Sequence, residues 1–478
     1  MLTAPLSHFC KPSRNIAPAQ RLPGDERVLE RLNGSVHMLW GLDFNQTLKH
    51  TWPEWTRRSR LGPTEQEMAS QTLERKRAIN PYDVSADALY TMDTWREPFA
   101  ALRREMPVSW RPESPFGGYW SAVTHEHIQE IELMPEVFSS SWKRGNITIA
   151  ESINESEFPN FIAQDPPIHT AQRKVIAPAF SPGQMIKLET QVRARAKSLI
   201  DALPVGETFD WVDSLAIPQT MGMLCSLFDF PFEEWRDLKR WSDYASGVSA
   251  DNLTPEYRAE WMKQLGEMLQ RFDRELDARR ALPPSDDLLS RMVHSEAMGQ
   301  LPPLERLANI ALLIVAGNDT TRNSISGLVE AWQLYPEELE KLRADPTLSA
   351  NAAQEIIRWQ SPVTHMRRTA TRDVEVGGQL IREGEKIVMW YISGNRDESV
   401  FPNAERFDVG RENARRHIGF GHGIHRCVGA KLAEVQIAAV IDEIVARRLR
   451  VVPVAPPTRL ASPFLHGFSA MPVRLEQD

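Results

Sequence analysis

The sequence has few cysteines, no long apolar run and no strong excess of charge of one sign. Its three cysteines, Cys10, Cys225 and Cys427, are too few for a disulfide scaffold or for an iron–sulfur cluster with four cysteine ligands. A long stretch without a charged residue, Ser214–Phe228, has only 15 residues, whereas a membrane-spanning helix needs about 20. The N-terminal segment has no secretory signal pattern. We therefore expect a cytoplasmic protein without a transmembrane anchor.

The charge balance also excludes a class of partner. The 478 residues include 64 Asp or Glu and 56 Lys or Arg, so the formal net charge is −8 at pH 7. A general nucleic-acid binder carries a basic surface, and we expect no nucleic-acid partner here. Hydrophobic residues at 42% and charged residues at 25% are typical of a globular protein.

Helical patterning dominates the chain after an irregular, proline-punctuated beginning. Four stretches with apolar residues at three- and four-residue spacing begin at a proline, which is favoured in the first helical turn: 182–203, 255–281, 303–334 and 336–344. Strand signals are fewer: 119–123, a Gly-Gly hairpin within 373–381, and 386–391. We predict a mainly α fold with a small β-region, forming one domain over residues 81–478. Residues 1–80 are predicted to be an N-terminal extension packed on this body.

One cysteine lies in a distinctive context. Cys427 follows Phe420 in the pattern Phe-x-x-Gly-x-x-x-Cys-x-Gly, and a helical pattern starts at Ala430. Backbone N–H groups and the helix dipole at such a position lower the pKa of a thiol and donate hydrogen bonds to its sulfur. Cys427 is then either a metal ligand or, with His425 as a nearby base, a nucleophile. A dinucleotide fingerprint is excluded because Arg426 occupies the third glycine position.

The pattern around Cys427 resembles the haem-binding loop of the cytochrome P450 superfamily. The resemblance extends over roughly residues 80–478 and implies the single-domain P450 fold. It also implies haem b as the cofactor, with the Cys427 thiolate as the proximal iron ligand and Phe420 beside the haem. Thiolate donation to iron favours cleavage of the O–O bond. The activity implied is that of a haem-thiolate monooxygenase using O2.

A second motif interrupts an apolar helical stretch. Residues 312–321 read Leu-Leu-Ile-Val-Ala-Gly-Asn-Asp-Thr-Thr, and the poor helix formers in the second half cost about 2–3 kcal/mol relative to alanine. Such a local violation is typical of a functional site. Ala316 and Thr320 share one face of the helix, and Gly317 leaves room for a close approach. The segment resembles the P450 oxygen-activation motif, which implies that Ala316 and Gly317 border the haem, Thr320 hydrogen-bonds to the reacting oxygen and Asp319 relays protons.

Cationic residues for the two haem propionates are also implied by the resemblance. His169 and Arg173 lie four residues apart, on one face of a predicted helix. They resemble the propionate-binding His-x-x-x-Arg pair of bacterial P450s. Arg368 and His425 match the other two propionate positions of the family.

A further charged set is assigned to the fold. Glu355 and Arg358 have i,i+3 spacing, which in isolation is typical of a solvated ion pair worth a few tenths of a kcal/mol. They resemble the Glu-x-x-Arg motif of the family, and Arg406 matches the arginine that joins it. The resemblance implies that all three stabilise the fold beneath the haem.

The electron donor must be external, because the chain has neither a dinucleotide fingerprint nor four cluster cysteines. Between residues 411 and 431, five basic residues accompany one acid: Arg411, Arg415, Arg416, Arg426, Lys431 and Glu412. A basic surface on the thiolate side would attract an acidic ferredoxin, although a random surface cluster is the alternative. We expect a ferredoxin reduced by an NAD(P)H-dependent ferredoxin reductase.

The substrate class is inferred from resemblance alone. Segments such as Ser114–Gly117, 388–391 and 393–398 resemble soluble bacterial alkane and fatty-acid terminal (omega) hydroxylases. The resemblance implies that a set of mostly apolar residues faces the substrate: Val315, Val363, Thr364, Met366, Phe464 and Leu465. His365 departs from this pattern and leaves a terpenoid or steroid substrate open. Outside the oxygenases, a haem sensor would need no apolar pocket, and a haem-thiolate isomerase would not need the Asp-Thr pair.

Overall fold

The computed structural model describes residues 77–150, 159–246 and 254–477. The predicted extension over residues 1–80 therefore lies, up to residue 76, outside the described residues. From Ala78 onward the described chain forms one compact unit.

Helices make up most of this unit, and the prediction of a mainly α fold with a smaller β-region is confirmed. The predicted helix starts at Pro182, Pro255, Pro303 and Pro336 are confirmed, because proline at the first helical position gives up an N–H that would be unpaired anyway. In chain order the helices are α1 (Asp87–Thr91), α2 (Arg96–Glu105), α3 (His125–Glu132), α4 (Ile168–Ile176), α5 (Pro182–Asp201), α6 (Ile217–Phe228), α7 (Trp235–Ser246), α8 (Pro255–Arg280), α9 (Leu288–Val293), α10 (Pro303–Leu334), α11 (Pro336–Ala344), α12 (Ser349–Gln360), α13 (Tyr391–Gly394) and α14 (Ala430–Ala446).

The strands form small sheets. They are β1 (Val108–Arg111), β2 (Tyr119–Ala122), β3 (Phe138–Ser139), β4 (Thr208–Asp210), β5 (Met366–Ala370), β6 (Val374–Val376), β7 (Gln379–Ile381), β8 (Lys386–Met389), β9 (Leu449–Pro453), β10 (Thr458–Arg459), β11 (Phe468–Ala470) and β12 (Pro472–Gln477). The largest sheet has the order β1-β2-β8-β5-β3, and a second has the order β4-β12-β9. The predicted Gly-Gly hairpin is confirmed as β6 and β7, with Gly377 and Gly378 at positive φ.

Helix α10 runs through the middle of the fold. Its 32 residues give a length of about 48 Å, and it packs against α6, α7, α12 and α14. The helix is continuous through Gly317–Thr321 despite their poor propensities, because packing on several sides outweighs propensity. A Cβ atom on Gly317 would lie 2.6 Å from Leu224 Cδ2 of α6. The group that approaches Gly317 closely is therefore the Leu224 side chain of a neighbouring helix.

Two apolar clusters anchor the sheet to the helices. One includes Trp120, Ile128, Phe138 and Ile387, and the other includes Trp95, Phe99 and Trp390. In the part of the chain that the structure describes, no helix combines the length and the apolar character that crossing a bilayer requires.

Candidate active site

The segment before Cys427 is a closed loop that leads into α14. The Cys427 N–H donates to the carbonyl oxygen of Phe420 at 2.8 Å, which joins the two ends of the loop. Gly421 and Gly423 adopt φ values of 69° and 62°, a region that side chains with a Cβ rarely occupy. The glycines are therefore required by the backbone path that places Cys427 just before Ala430.

The environment of the Cys427 thiol differs from the sequence-based expectation. Cys427 is an exposed residue, yet protein atoms crowd its sulfur, and this burial raises the pKa of the thiol. The Gly429 N–H and the charges of Arg173 and Arg426 act in the opposite direction without cancelling it. For the free thiol, desolvation outweighs the backbone, so the direction is opposite to the lowering that the loop position suggests. Coordination to a metal would deprotonate it outright.

The four residues expected at the propionates lie close together. The rings of His169 and His425 are 4.1 Å apart between centroids. Burial, followed by the charge of Arg173, lowers the pKa of His169 to about 4. Burial, followed by the charge of Arg368, lowers the pKa of His425 well below its ordinary value. At neutral pH both imidazoles are uncharged, so the two arginines supply the positive charge of this group.

The hydrogen bonds of this group distinguish its members. His425 Nε2 lies 3.0 Å from Ser140 Oγ, and an Arg173 N–H donates to the Arg426 carbonyl oxygen. Both ring nitrogens of His169, by contrast, are buried without a hydrogen-bond partner among the described residues. Buried polar atoms are nearly always paired, so orphaned imidazole nitrogens beside two guanidinium groups fit a bound anion such as a carboxylate.

On α10, the residues of the oxygen-activation motif divide between an accessible and a buried face. Val315, Gly317 and Thr320 are half-buried and Ala316 is exposed, while Asp319 is completely buried. The Thr320 hydroxyl donates to the Ala316 carbonyl oxygen at 3.1 Å. This bond uses the hydroxyl proton, so the Thr320 oxygen is left as an acceptor on the accessible face.

Asp319 belongs to an interior network. Its Oδ1 accepts from Asn318 Nδ2 at 2.8 Å and pairs with Arg322 Nη2 at 3.0 Å. Arg322 Nη1 in turn lies 3.9 Å from the carboxylate of Asp243, whose side chain is 42% exposed. The charged groups Asp319, Arg322 and Asp243 therefore connect the interior of α10 to the surface at α7.

The candidate pocket residues fall into two kinds. Val363, Met366 and Phe464 are half-buried, and Leu465 is 8% exposed. The two segments that carry them pair with each other, through a β-bridge between Val363 and Leu465. The side chains that remain accessible here are apolar.

Thr364 and His365 are fully buried, and the interpretation of His365 as a pocket residue is wrong. His365 Nε2 accepts from the Ile149 N–H at 3.2 Å, so Nδ1 carries the proton and donates to the Pro463 carbonyl oxygen at 3.1 Å. Burial lowers the pKa of His365 to about 3. The Thr364 hydroxyl likewise donates to the Pro463 carbonyl oxygen. Both polar side chains bind backbone inside the fold and are unavailable to a substrate.

The charged cluster on α12 contains Arg411 in the place expected for Arg406. Arg358 Nε and Nη2 donate to the Glu355 carboxylate at 2.7 and 2.8 Å, and Arg411 Nε lies 3.0 Å from the same carboxylate. The Arg406 side chain points elsewhere and pairs with Glu337 and Glu338. Arg406 contributes only its carbonyl oxygen, which accepts from Arg358 and Arg411. The expectation that the Arg406 side chain joins Glu355 is therefore wrong.

The basic surface is smaller than the sequence indicated. Arg411 is 7% exposed and is committed to Glu355. Four basic residues and one acid remain exposed, which gives a local charge of 4 − 1 = +3: Arg415, Arg416, Arg426, Lys431 and Glu412.

Sequence reasoning overlooked three residues of this region. Arg322 had a signal, because its i,i+3 spacing from Asp319 favours pairing on a helix. Glu132 and Tyr391 had none: Tyr391 donates to Glu132 Oε1 at 2.5 Å across 259 residues of sequence.

Comparisons with known proteins agree with this geometry. Residues 346–470 match the family model described as Cytochrome P450. Linalool 8-monooxygenase of Pseudomonas putida is 39% identical over 406 residues, covering 82% of this chain and 98% of that protein. The methyl-branched lipid omega-hydroxylase of Mycobacterium tuberculosis (strain H37Rv) is 34% identical over 389 residues, covering 78% and 90%. The structure of cytochrome P450-153 from Novosphingobium aromaticivorans superposes with a TM-score of 0.78 at 46% identity, covering 83% of this chain and all of that one.

The fold, the loop around Cys427 and these likenesses define the class: the chain belongs to the cytochrome P450 family. It is an oxidoreductase with monooxygenase function of the P450 kind. Family membership implies a haem iron cofactor. The orphaned nitrogens of His169, the adjacent guanidinium groups and the single thiol of the closed loop fit that cofactor.

Proposed function

We propose that the chain is a terminal hydroxylase of medium-chain alkanes or fatty acids. The observation that carries this proposal is the internal pairing of His365 and Thr364, which leaves Val363, Met366 and Phe464 as the accessible side chains of their segments. Burial of apolar surface contributes about 0.8 kcal/mol per CH2 group, so an apolar lining favours a hydrocarbon chain. The likeness to a lipid omega-hydroxylase supports attack at the chain end.

Haem b is the proposed cofactor, and bound haem supplies the activation of O2. Cys427 supplies the thiolate that holds the iron. Arg173 and Arg368 supply positive charge for the propionates, and neutral His169 and His425 supply N–H donors.

Proton delivery is proposed to depend on α10. Thr320, whose own proton is held by the Ala316 carbonyl, accepts a hydrogen bond on the accessible face and keeps a proton beside the reacting oxygen. Asp319 takes up a proton from solvent on the side of Asp243, and Arg322, which stays protonated, holds the Asp319 carboxylate between transfers. Because the Asp319 carboxylate is buried against Arg322, its release from that pair would accompany each transfer.

The electron donor is proposed to be a ferredoxin with an NAD(P)H-dependent reductase, acting in the cytoplasm. The exposed basic residues near Cys427 support an acidic donor, because complementary charge increases the rate of encounter. The rate of reduction should therefore fall as ionic strength rises.

A terpenoid or steroid hydroxylase is the second candidate. The likeness to linalool 8-monooxygenase, at 39% identity, favours it, since linalool is a terpenoid alcohol. An accessible lining of valine, methionine and phenylalanine would also accept a compact terpenoid. A haem sensor or a haem-thiolate isomerase would use neither the Thr320 and Asp319 pair nor an electron donor.

The first experiment titrates the purified protein with series of alkanes, fatty acids and terpenoids and records the haem spectrum. Affinity should rise with chain length until the apolar channel is full and then fall, and the main product should be the primary alcohol. Subterminal alcohols, or a spectral response to terpenoids alone, would favour the second candidate. Binding that gives no product when O2 and an electron donor are supplied would favour a sensor.

The second experiment tests the assigned residues. The reduced protein with carbon monoxide should absorb at about 450 nm because of thiolate ligation, and Cys427→Ser should lose that band. Thr320→Ala should consume NADH while releasing hydrogen peroxide, and Asp319→Asn should slow turnover by about 10²–10⁴-fold, as expected for a lost proton relay. Ser324→Ala, one turn further along α10, is the matched control and should leave the ratio of product to NADH unchanged.

A further inference from the structure

Glu132 is a buried carboxylate at an unfavourable place. It is the last residue of α3, and its side chain is 1% exposed. A negative charge at a helix C-terminus opposes the helix dipole, and burial of a carboxylate costs free energy unless it is paired. Its Oε1 accepts from the Tyr391 hydroxyl at 2.5 Å, and the His422 backbone of the loop also acts on the carboxylate. The packing of α3 alone gives no reason for this residue.

The loop that carries Cys427 is built against Glu132. A Cβ atom on Gly421 would lie 3.3 Å from Glu132 Oε1 and 3.4 Å from the Tyr391 hydroxyl. A Cβ atom on Gly423 would overlap the backbone carbonyl oxygen of Glu132. The two glycines of positive φ therefore allow the loop to rest directly on this residue and its hydrogen-bonded tyrosine.

The same carboxylate reaches the propionate group. Arg368 Nη2 lies 3.6 Å from Glu132 Oε1, and Arg368 Nη1 donates to the Arg367 carbonyl oxygen at 2.8 Å. The charge of Arg368 also lowers the pKa of both His169 and His425, so Arg368 faces that pair as well as Glu132. Glu132 is thus in contact with both elements that hold the cofactor: the loop of Cys427 and the arginine of β5.

We propose that Glu132 is a positioning residue for the haem, whose carboxylate fixes the orientation of Arg368 and supports the loop of Cys427 from behind. This inference rests on the proposed haem-thiolate function and adds to it a coupling between the two holding elements. A paired carboxylate behind a cationic residue acts as the outer partners of metal ligands do, by fixing orientation and adjusting the local charge.

The test uses two substitutions that separate charge from packing. Glu132→Gln keeps an oxygen that accepts from Tyr391 but removes the charge that pairs with Arg368. Glu132→Ala removes both. Glu130→Gln is the matched control, because Glu130 lies on the same helix and is exposed. Burial raises the pKa of Glu132 to about 7, so the measurements are made on the full-length holoprotein at pH 8, where the carboxylate is ionised.

Three readouts are compared: the rate of haem transfer to excess apomyoglobin, the reduction potential, and the position of the carbon monoxide band. Glu132→Gln should release haem about 10-fold faster, and Glu132→Ala up to about 100-fold faster, which is the usual range for loss of an outer partner. The potential of both variants should become more positive, because a negative charge near the cofactor is removed. The control should match the wild type in all three.

The outcomes are separable. If the reduced wild-type protein with carbon monoxide lacks the thiolate band at about 450 nm, the proposed function itself is refuted. If the wild type shows that band but Glu132→Gln leaves the rate of haem release and the reduction potential unchanged, only the role of Glu132 is refuted. If Glu132→Ala does not fold, Glu132→Gln decides the question, since its shape and its bond to Tyr391 are preserved.

Discussion

Two buried, positively charged regions of the molecule differ in how their polar atoms are paired. Around Glu355, the carboxylate accepts from Arg358 and Arg411, and the remaining N–H groups of these arginines donate to backbone carbonyl oxygens. Around His169, both imidazole nitrogens are buried and unpaired among the described residues. The Glu355 carboxylate is thus satisfied by the chain itself, whereas the nitrogens of His169, beside the charges of Arg173 and Arg368, are available to a bound anion.

The same distinction separates the residues of the candidate pocket. His365 and Thr364 have their hydrogen bonds satisfied by Ile149 and Pro463, and they belong to the first kind. Met366, one residue further, is half-buried and has no polar group to satisfy. Internal hydrogen bonds thus distinguish Thr364 and His365 from the accessible apolar residues beside them.

The largest effect is expected in the cluster around Glu355, where the carboxylate and the arginines find their partners within the chain. Arg358→Ala leaves the fully buried Glu355 carboxylate without its bidentate partner. Removing one member of a buried ion pair costs about 3–5 kcal/mol, so the free energy of unfolding should fall by that amount. Urea unfolding followed by circular dichroism measures it. A loss below about 1 kcal/mol would show that the cluster is not what stabilises this region.

The pairing of His365 can be tested by the dependence of the unfolding free energy on pH. Burial lowers its folded pKa to about 3, below the ordinary 6.5, so the folded state resists protonation. The stabilisation is complete above pH 6.5 and is lost as the pH falls, at about 1.4 kcal/mol per pH unit. Between pH 7 and pH 5, His365→Asn should therefore lose about 2 kcal/mol less stability than the wild type. Equal slopes in urea unfolding at the two pH values would contradict the neutral, backbone-bound histidine.

Substitution of His169, whose ring nitrogens are unpaired among the described residues, should affect haem binding and not the stability of the haem-free protein. His169→Phe removes two unsatisfied nitrogens, so the unfolding free energy of the haem-free protein should not fall and can rise. Haem release from the loaded protein should accelerate about 10-fold, equivalent to about 1.4 kcal/mol. Haem transfer to apomyoglobin and urea unfolding measure the two quantities. A large loss of stability with unchanged haem release would place His169 among the fold residues.

The smallest effect is expected for Arg406, which the sequence placed in the Glu355 cluster. Its side chain is 43% exposed and pairs with Glu337 and Glu338. Exposed ion pairs such as that with Glu337 contribute about 0–1 kcal/mol. The buried Glu338 carboxylate keeps Lys341 and the Val409 N–H as donors, so Arg406→Ala should reduce the unfolding free energy by less than about 1 kcal/mol. A loss of unfolding free energy as large as that of Arg358→Ala would show that the Arg406 side chain belongs to the Glu355 cluster.

The sequence predicted what depends on local signals. Helix α11 has the predicted bounds, Pro336–Ala344, because a proline and a repeating apolar pattern are both local. The choice between Arg406 and Arg411 could not be predicted, since the irregular segment around them folds back on α12 in a way that motif spacing does not determine. The contact of Glu132 with Tyr391 was equally hidden, because only the tertiary fold brings together two residues 259 positions apart.

The close contact between Gly317 and Leu224 has a consequence for how this enzyme can acquire new specificities. With Leu224 of α6 this close to α10, a larger residue at position 317 requires the Leu224 side chain to shift. The segments of Val363 and Phe464 are joined to each other by a short β-bridge between Val363 and Leu465. Variants selected for activity on other substrates should carry changes at the half-buried residues 363, 366 and 464 more often than at residue 317.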